Sequence, residues 1–329
     1  MEKNIQLCGQ GNGLVDVQYK ISEEELKRLN IPKGRMCLVD SKEQVSVLKS
    51  LSNKEFNKCS GGSAANTIIA FSQFGGSAVY SCLLGDDEFG KFYAREFDEL
   101  GIILNTKYID PDLTGTCLVL ITPDGERTML TSLGATAKFA PENVNEELIQ
   151  RSEWLYIEGY ALSQRCSADA ALIAVEFAKK HNTKVALTFS DGFIIDNYRT
   201  DLEQIASQSD LIFCNESEAI VYTSKPDFDN AFGDLSKNYT NFVVTQGEHG
   251  SKVKWNNEIY KIPSFPATAL DATGAGDMYA AGFLYGLIVR KSPAQGGQLG
   301  SYASSLVVSQ YGARLSVDHK KIRDEIFSF

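Results

Sequence analysis

Short apolar runs alternate with amphipathic stretches through the second half of the chain. WLYIEGY, KVALTFSD, DLIFCN and NFVVTQ are the apolar runs, and SADAALIAVEFAKKHN, DNYRTDLEQIASQ, ESEAIVYT and AFGDLSKNY lie between them. Buried strands joined by helices that recross the sheet give this alternation. The pattern predicts an α/β fold of three layers, αβα, with a mostly parallel central sheet. The first half is more broken. IQLCGQ reads as a strand that runs through glycines into a second extended piece, LVDVQYKI. ISEEELKRLNI, capped by Ser22, and SKEQVSVLKSL read as short helices on either side of a strand over 36–40. Gly61 and Gly62 precede an apolar helix beginning in SAANTIIAF, and GDDEFGK turns into a helix over KFYAREFDELGI. Residues 114–135 read as a β-hairpin turning at Pro123, Asp124 and Gly125. Without an internal repeat or linker, the expectation is one domain over 1–329, with a small β-sheet lid built from inserted segments at about 14–40 and about 108–135.

The stretch 270–287, LDATGAGDMYAAGFLYGL, joins a cluster of small residues to an apolar helix. Tyr279, Ala280, Phe283, Leu284 and Leu287 recur at helical spacing, so the helix starts inside Gly274, Ala275 and Gly276. Amides in a first helical turn have no intrahelical partner, and with the positive end of the helix dipole they suit a phosphate or another anion. Asp277 stands in that turn, either as a first-turn acid that stabilises the dipole or as a working carboxylate.

Composition narrows the function classes. With 43% hydrophobic and 22% charged residues in 329, the chain has the makeup of a globular protein with a substantial core. Its formal charge of -10 argues against nucleic acid as a partner, because phosphate backbones are bound by clustered Lys and Arg. No apolar run has the length of a bilayer span, and MEKNIQLCGQ lacks the basic start and apolar centre of a signal peptide, so a cytoplasmic protein is expected. The cysteines stand singly with no CxxC spacing, which predicts reduced thiols and no zinc site.

Two phosphate motifs fail on inspection. Gly9, Gly11 and Gly13 begin like GxGxxG, but Leu14 stands where the third glycine belongs. Gly85, Gly90 and Lys91 are spaced like a P-loop, yet Phe92 replaces the magnesium-binding hydroxyl and Asp86, Asp87 and Glu88 would repel phosphate. Other candidates remain. Asp16 lies between Val15 and Val17, either exposed on an edge strand or held for a ligand. Gly62 and Asn66 open a helix, and Arg127 follows the hairpin turn as a positive charge in an acidic chain. Ligands of parallel sheets sit beyond the carboxyl ends of the strands, which brings Asp191, Asn215, Glu218, Thr245 and Gly247 to one rim with the DATGAGD loop.

GGSAAN, GDDEFG, NESE and DATGAGDMYAAGF, in this order, resemble the ribokinase-like, or PfkB, carbohydrate and nucleoside kinases. GNGLVDV, TPDGERTM, YIEGY and LTFSDGF are closest to the adenosine kinase branch. The resemblance implies transfer of the γ-phosphate of ATP to a hydroxymethyl group, the 5′-hydroxyl of a purine nucleoside, with adenosine going to AMP in purine salvage. Asp277 matches the family's catalytic base, and the amides of Gly274, Ala275 and Gly276 match its anion hole. Asp16, Gly62 and Asn66 match positions that hold sugar hydroxyls, and Arg127 a lid residue that reaches toward the phosphates. Asn215 and Glu218 match the motif that organises Mg²⁺ and its waters, with Glu218 nearest the metal; Thr245 and Gly247 match the loop near the nucleotide. Met36, Cys37 and Leu38, with Tyr160 and Phe193, are candidates to sandwich a purine. Ala272 replaces the Thr usual in the motif, with little consequence expected because the anion hole is backbone. The alternatives are a ribokinase- or fructokinase-type sugar kinase and a non-catalytic nucleoside-binding protein. A monovalent cation such as K⁺ beside the loop, and a monomer or a homodimer, both stay open.

Overall fold

Two sheets organise the chain, whose computed structural model describes residues 2–34, 36–124 and 126–328. In chain order the strands begin β1 (Ile5–Gln10), β2 (Leu14–Lys20), β3 (Met36–Leu38), β4 (Phe56–Gly61) and β5 (Ala78–Gly85). They continue as β6 (Ile103–Ile109), β7 (Gly115–Ile121), β8 (Arg127–Ser132), β9 (Ser152–Glu158) and β10 (Lys184–Thr188). The last are β11 (Leu211–Asn215), β12 (Phe242–Thr245), β13 (Ser251–Trp255) and β14 (Glu258–Ile262). The main sheet has nine strands in the order β14-β13-β12-β11-β10-β9-β1-β5-β6. Every pairing from β12 to β6 is parallel, and β13 and β14 return antiparallel at one edge. Alternation within each strand feeds both faces. Trp154 and Tyr156 join the core on one side, Leu155 and Ile157 the core on the other, so the strands read as continuous apolar runs.

The helix Ala275–Val289 lies in one of those cores, and Met278 to Ile288 are all buried. Its neighbour Pro293–Val307 comes so close that a Cβ on Gly286 would stand 2.3 Å from the Gly296 Cα. The helix is therefore enclosed rather than amphipathic. Helix α1 (Glu23–Arg28), helix α2 (Ser41–Ser50) and helix α3 (Ser63–Gln73) fall in the expected order. Asp40, expected at the end of a strand, instead caps α2 by accepting from the Glu43 N–H at 2.8 Å. Helix α4 (Glu88–Glu99) starts earlier than expected, because Asp87 accepts from the Gly90 N–H at 2.7 Å and closes a cap inside the GDDEFG turn.

The small sheet has the order β3-β8-β7-β2-β4. Val15, Val17 and Tyr19 of β2 pack with Leu26 and Val47 behind the sheet, while Leu14, Asp16 and Gln18 face the cleft. The expected hairpin is present as β7 and β8, antiparallel in register; Gly125 of its turn lies outside the described residues. Two features differ from the sequence-based expectation. Residues up to Ile109 belong to the main sheet, so the second lid segment starts later than about 108. Strand β4, FNKCSG, is not predicted by pattern, since its first three side chains are exposed and polar residues interrupt any apolar alternation.

Candidate active site

A cleft of about 460 Å³ separates the inner face of the small sheet from the carboxyl ends of the main-sheet strands. Asp16, Arg127, Gly62, Asn66, Gly274, Gly276 and Asp277 all line it, as do Tyr160, Phe193, Asn215, Glu218 and Thr245. Three expected residues do not. Cys37 packs toward the lid core, because strand alternation gives the cleft to its neighbours Met36 and Leu38. Gly247 sits in the 3-10 turn Gly247–His249, two residues beyond Thr245, where the chain turns away into β13. Ala275 is the third, and its amide donates to the Ala272 carbonyl at 3.2 Å.

Asp277 is held by the start of α3. Ser63 Oγ donates to its Oδ1 at 2.6 Å and Asn66 Nδ2 to its Oδ2 at 3.0 Å. Asn66, expected to face a sugar, spends one amide hydrogen here. Burial pushes the Asp277 carboxyl up to about 6, against the pull of the Ser63 and Asn66 hydrogen bonds. The approach of α3 depends on Gly62, whose φ is 102° and whose Cβ, if present, would lie 2.3 Å from the Asn12 carbonyl oxygen.

Without a side chain, Gly62 offers α3 no cap. Glu158, fully buried at the end of β9, takes that place by accepting from the Ala64 N–H at 2.6 Å. The same carboxylate accepts from the Asn12 N–H at 2.7 Å and the Asn12 Nδ2 at 2.9 Å, tying the β1–β2 turn to α3. Burial pushes Glu158 up to about 7, opposed by those bonds. Sequence reasoning misses Glu158, Ser63 and Asn12; a lone acid in the apolar run WLYIEGY is the available signal for the first. Asp16 is also pushed up by burial to about 6, with the Arg314 and Arg127 guanidinium groups opposing.

The loop before the long helix presents free backbone amides at a helix start, an arrangement that suits an anion. Among the described residues, the N–H groups of Gly274, Gly276 and Asp277 meet no acceptor in the chain, and a Cβ on Gly276 would meet nothing within 4 Å. Gly274, at φ 75°, packs against Ala313, which a Cβ would approach to 2.4 Å. Asp271 ties the loop down. It accepts from the Thr273 N–H at 3.0 Å and the Gly312 N–H at 2.7 Å, and pairs with Arg127 at 2.7 Å, the two side chains being 4% and 7% exposed. Arg127 therefore reaches the loop from the lid, held on a carboxylate that the sequence pattern does not single out.

Across the cleft, Asn215 and Glu218 cap each other. Asn215 Nδ2 donates to Glu218 Oε1 at 2.7 Å and the Glu218 N–H to Asn215 Oδ1 at 2.8 Å. Burial, reinforced by Asp191, pushes Glu218 up to about 7 against the Asn215 N–H bond. An anion loop, a lid guanidinium, a carboxylate in the first helical turn and a second buried acid suit phosphoryl transfer from a metal-bound nucleotide.

Residues 36–320 match the profile of the pfkB family carbohydrate kinases. The chain belongs to this family. It is 31% identical over 273 residues to a 5-dehydro-2-deoxygluconokinase of Halalkalibacterium halodurans, covering 78% of this chain and 82% of that protein. It is 26% identical over 323 residues to the adenosine kinase of Saccharomyces cerevisiae, covering 92% and 94%. An adenosine kinase structure from Sinorhizobium meliloti superposes with a TM-score of 0.89 at 31% identity, covering 98% of this chain and 99% of that one. A probable sugar kinase from Rhizobium etli superposes at 0.90 with 28% identity and full coverage of both chains. The fold is thus ribokinase-like, and this pfkB-family kinase is a phosphotransferase with an alcohol acceptor, of adenosine kinase or sugar kinase type. Use of ATP and Mg²⁺ is general to such kinases. Among the described residues, no helix is long and apolar enough to cross a membrane.

Proposed function

We propose that this pfkB-family kinase phosphorylates the 5′-hydroxyl of a purine nucleoside, adenosine above all, in cytoplasmic purine salvage. The observation that carries this reading is the apolar wall of the cleft. Met36 and Leu38 on the lid and Phe193 opposite are 39%, 47% and 45% exposed, and Leu14, Val119 and Met129 continue the wall. A flat, apolar ring would cover such side chains, whereas a free sugar would leave them in water. We read residues 1–329 as one kinase domain with the small sheet as its lid.

Asp277 accepts the proton of the attacking hydroxyl, oriented for it by Ser63 and Asn66. Asp16 holds the sugar hydroxyls, and the loop amides with Arg127 stabilise charge on the transferred oxygens. Asn215 and Glu218 line the cleft where they would hold Mg²⁺, which would supply neutralisation of the nucleotide phosphates.

Mg·ATP with adenosine, inosine, guanosine, cytidine, ribose, fructose and 5-dehydro-2-deoxygluconate, read by ADP release, tests the assignment. Adenosine is expected to give the highest kcat/KM; preference for a free sugar or sugar acid over every nucleoside would overturn it. Phe193→Ala is expected to raise the nucleoside KM roughly tenfold by removing ring contact, with the KM for ATP changed less. Nucleoside and ATP titrations of the variant check the split.

Asp277 must be ionised to accept a proton, so kcat/KM is expected to fall as pH drops through about 6. Stability runs in the opposite sense. A carboxyl whose folded pKa is raised contributes most below its unfolded value of about 4, and that contribution is lost as pH rises through the folded value. Melting curves from pH 5 to 8 check this: the Tm of Asp277→Asn relative to the parent should rise with pH.

A further inference from the structure

Three consecutive residues beyond the helix Pro293–Val307 touch both halves of the cleft. The Gly312 N–H donates to Asp271 at 2.7 Å, and Ala313 fills the space beside Gly274, so two of them brace the anion loop. Arg314 points the other way. Its Nη2 donates to the Ser60 carbonyl of β4 and its Nη1 to Glu96 of α4. Glu96 completes the clamp by accepting from the Ser60 N–H at 2.8 Å and from the Ser60 hydroxyl. Ser60 is fully buried with every polar group engaged.

Immediately after Ser60 comes the junction on which the acceptor side is built. A Cβ on Gly61 would stand 2.4 Å from Asp16 Oδ1, so the carboxylate rests on this backbone, and the Gly61 carbonyl accepts from the Tyr93 hydroxyl at 3.2 Å. Gly62 then starts α3, which carries Ser63 and Asn66 to Asp277. We propose that Arg314 is a positioning residue for phosphoryl transfer, clamping the β4–α3 junction so that Asp16 and Asp277 meet one acceptor in register with the anion loop. This rests on the acceptor-side roles proposed for Asp16 and Asp277.

Electrostatics agrees with the geometry. Asp16 faces Arg314 from the segment after Pro293–Val307, Arg127 from β8 and Asp277 from the long helix. Cys59 of β4 and Cys117 of β7 flank it in register, and burial pushes both thiols up to about 12, leaving them neutral. Arg314 is the foremost of the charges holding Asp16 down.

The test uses Arg314→Met and Arg314→Lys in the full chain, with whichever acceptor the parent enzyme phosphorylates fastest. Failure of the nucleoside reading therefore shows in the parent and leaves this comparison intact. Arg314→Met is expected to raise the acceptor KM at least about tenfold, leave the KM for ATP within about threefold, and lift the pKa of Asp16 above that of Asp277. Asp16, which must be ionised to hold the acceptor hydroxyls, then sets an acid limb of kcat/KM at higher pH. Arg314→Lys keeps the charge but not the fork, so it should raise the acceptor KM with the acid limb in place. Should Arg314→Met fail to melt cooperatively, Glu96→Gln replaces it and is expected to raise the acceptor KM without an upward shift of the limb. An unchanged acceptor KM, or parallel rises for acceptor and ATP, in a folded variant would overturn the proposal, as would an unmoved limb in Arg314→Met.

Discussion

Asp277→Asn should fold, still bind acceptor, and lose at least about a hundredfold in kcat, the lower end of what a positioned general base contributes. The substitution keeps the size of the side chain, and one amide oxygen can still accept from Ser63 or Asn66, which donate to the two carboxylate oxygens at 2.6 and 3.0 Å. What it removes is the only feature that distinguishes a base from a cap: the capacity to take a proton. A first-turn acid acting on the helix dipole is worth roughly 0.3–1 kcal/mol of stability and nothing in turnover. Burial of the carboxyl adds a further contrast, because the neutral amide avoids the desolvation that raises the Asp277 pKa to about 6. Steady-state kinetics with acceptor binding by calorimetry separate the two roles. Retained turnover with a small change in Tm would leave Asp277 as a cap.

Asp271→Ala should cost about 3–5 kcal/mol of stability, the usual penalty for stranding a buried charge. Arg127 and Asp271 meet at 2.7 Å with almost no exposure, and truncation would also orphan the Thr273 and Gly312 amides. Among the described residues, the remaining hydrogen-bond partner of the guanidinium, the Thr273 hydroxyl at 3.3 Å, is neutral. Adding Arg127→Met removes the stranded charge, so the double variant should recover a good part of the loss, although its activity should stay low without the lid guanidinium. Urea midpoints of the two single variants and the double variant measure the coupling. Simple additivity would mean that the pair is not shielded from solvent.

Much of the site is legible in the sequence because its parts are local. DATGAGD places a glycine-rich turn, an acid and an apolar helix within one short stretch, and backbone amides at a helix start need no distant partner to be recognised. The same holds for Asn215 and Glu218, whose spacing is that of a capping box. Alternation predicts strand β3 but does not say which face meets the ligand, so Cys37 is expected in the cleft that Met36 and Leu38 in fact line. Of the three amides expected in an anion hole, Gly274 and Gly276 stay free among the described residues while the Ala272 carbonyl claims Ala275, because which amides stay free depends on where the first turn closes.

The sequence by itself determined the layered α/β architecture, the lid hairpin, and the identity of the helix start that carries Asp277, since periodicity, turn residues and capping act over a few positions. Only the tertiary structure decided what surrounds Asp277. Ser63 and Asn66 reach it across 214 and 211 residues of chain, Glu158 replaces a cap that Gly62 lacks, and Arg314 clamps Ser60 from 254 residues away. Such partners obey no sequence spacing: they are set by which buried polar groups the packing of two sheets leaves in need of a hydrogen bond, and by which side chains the fold brings close enough to provide it.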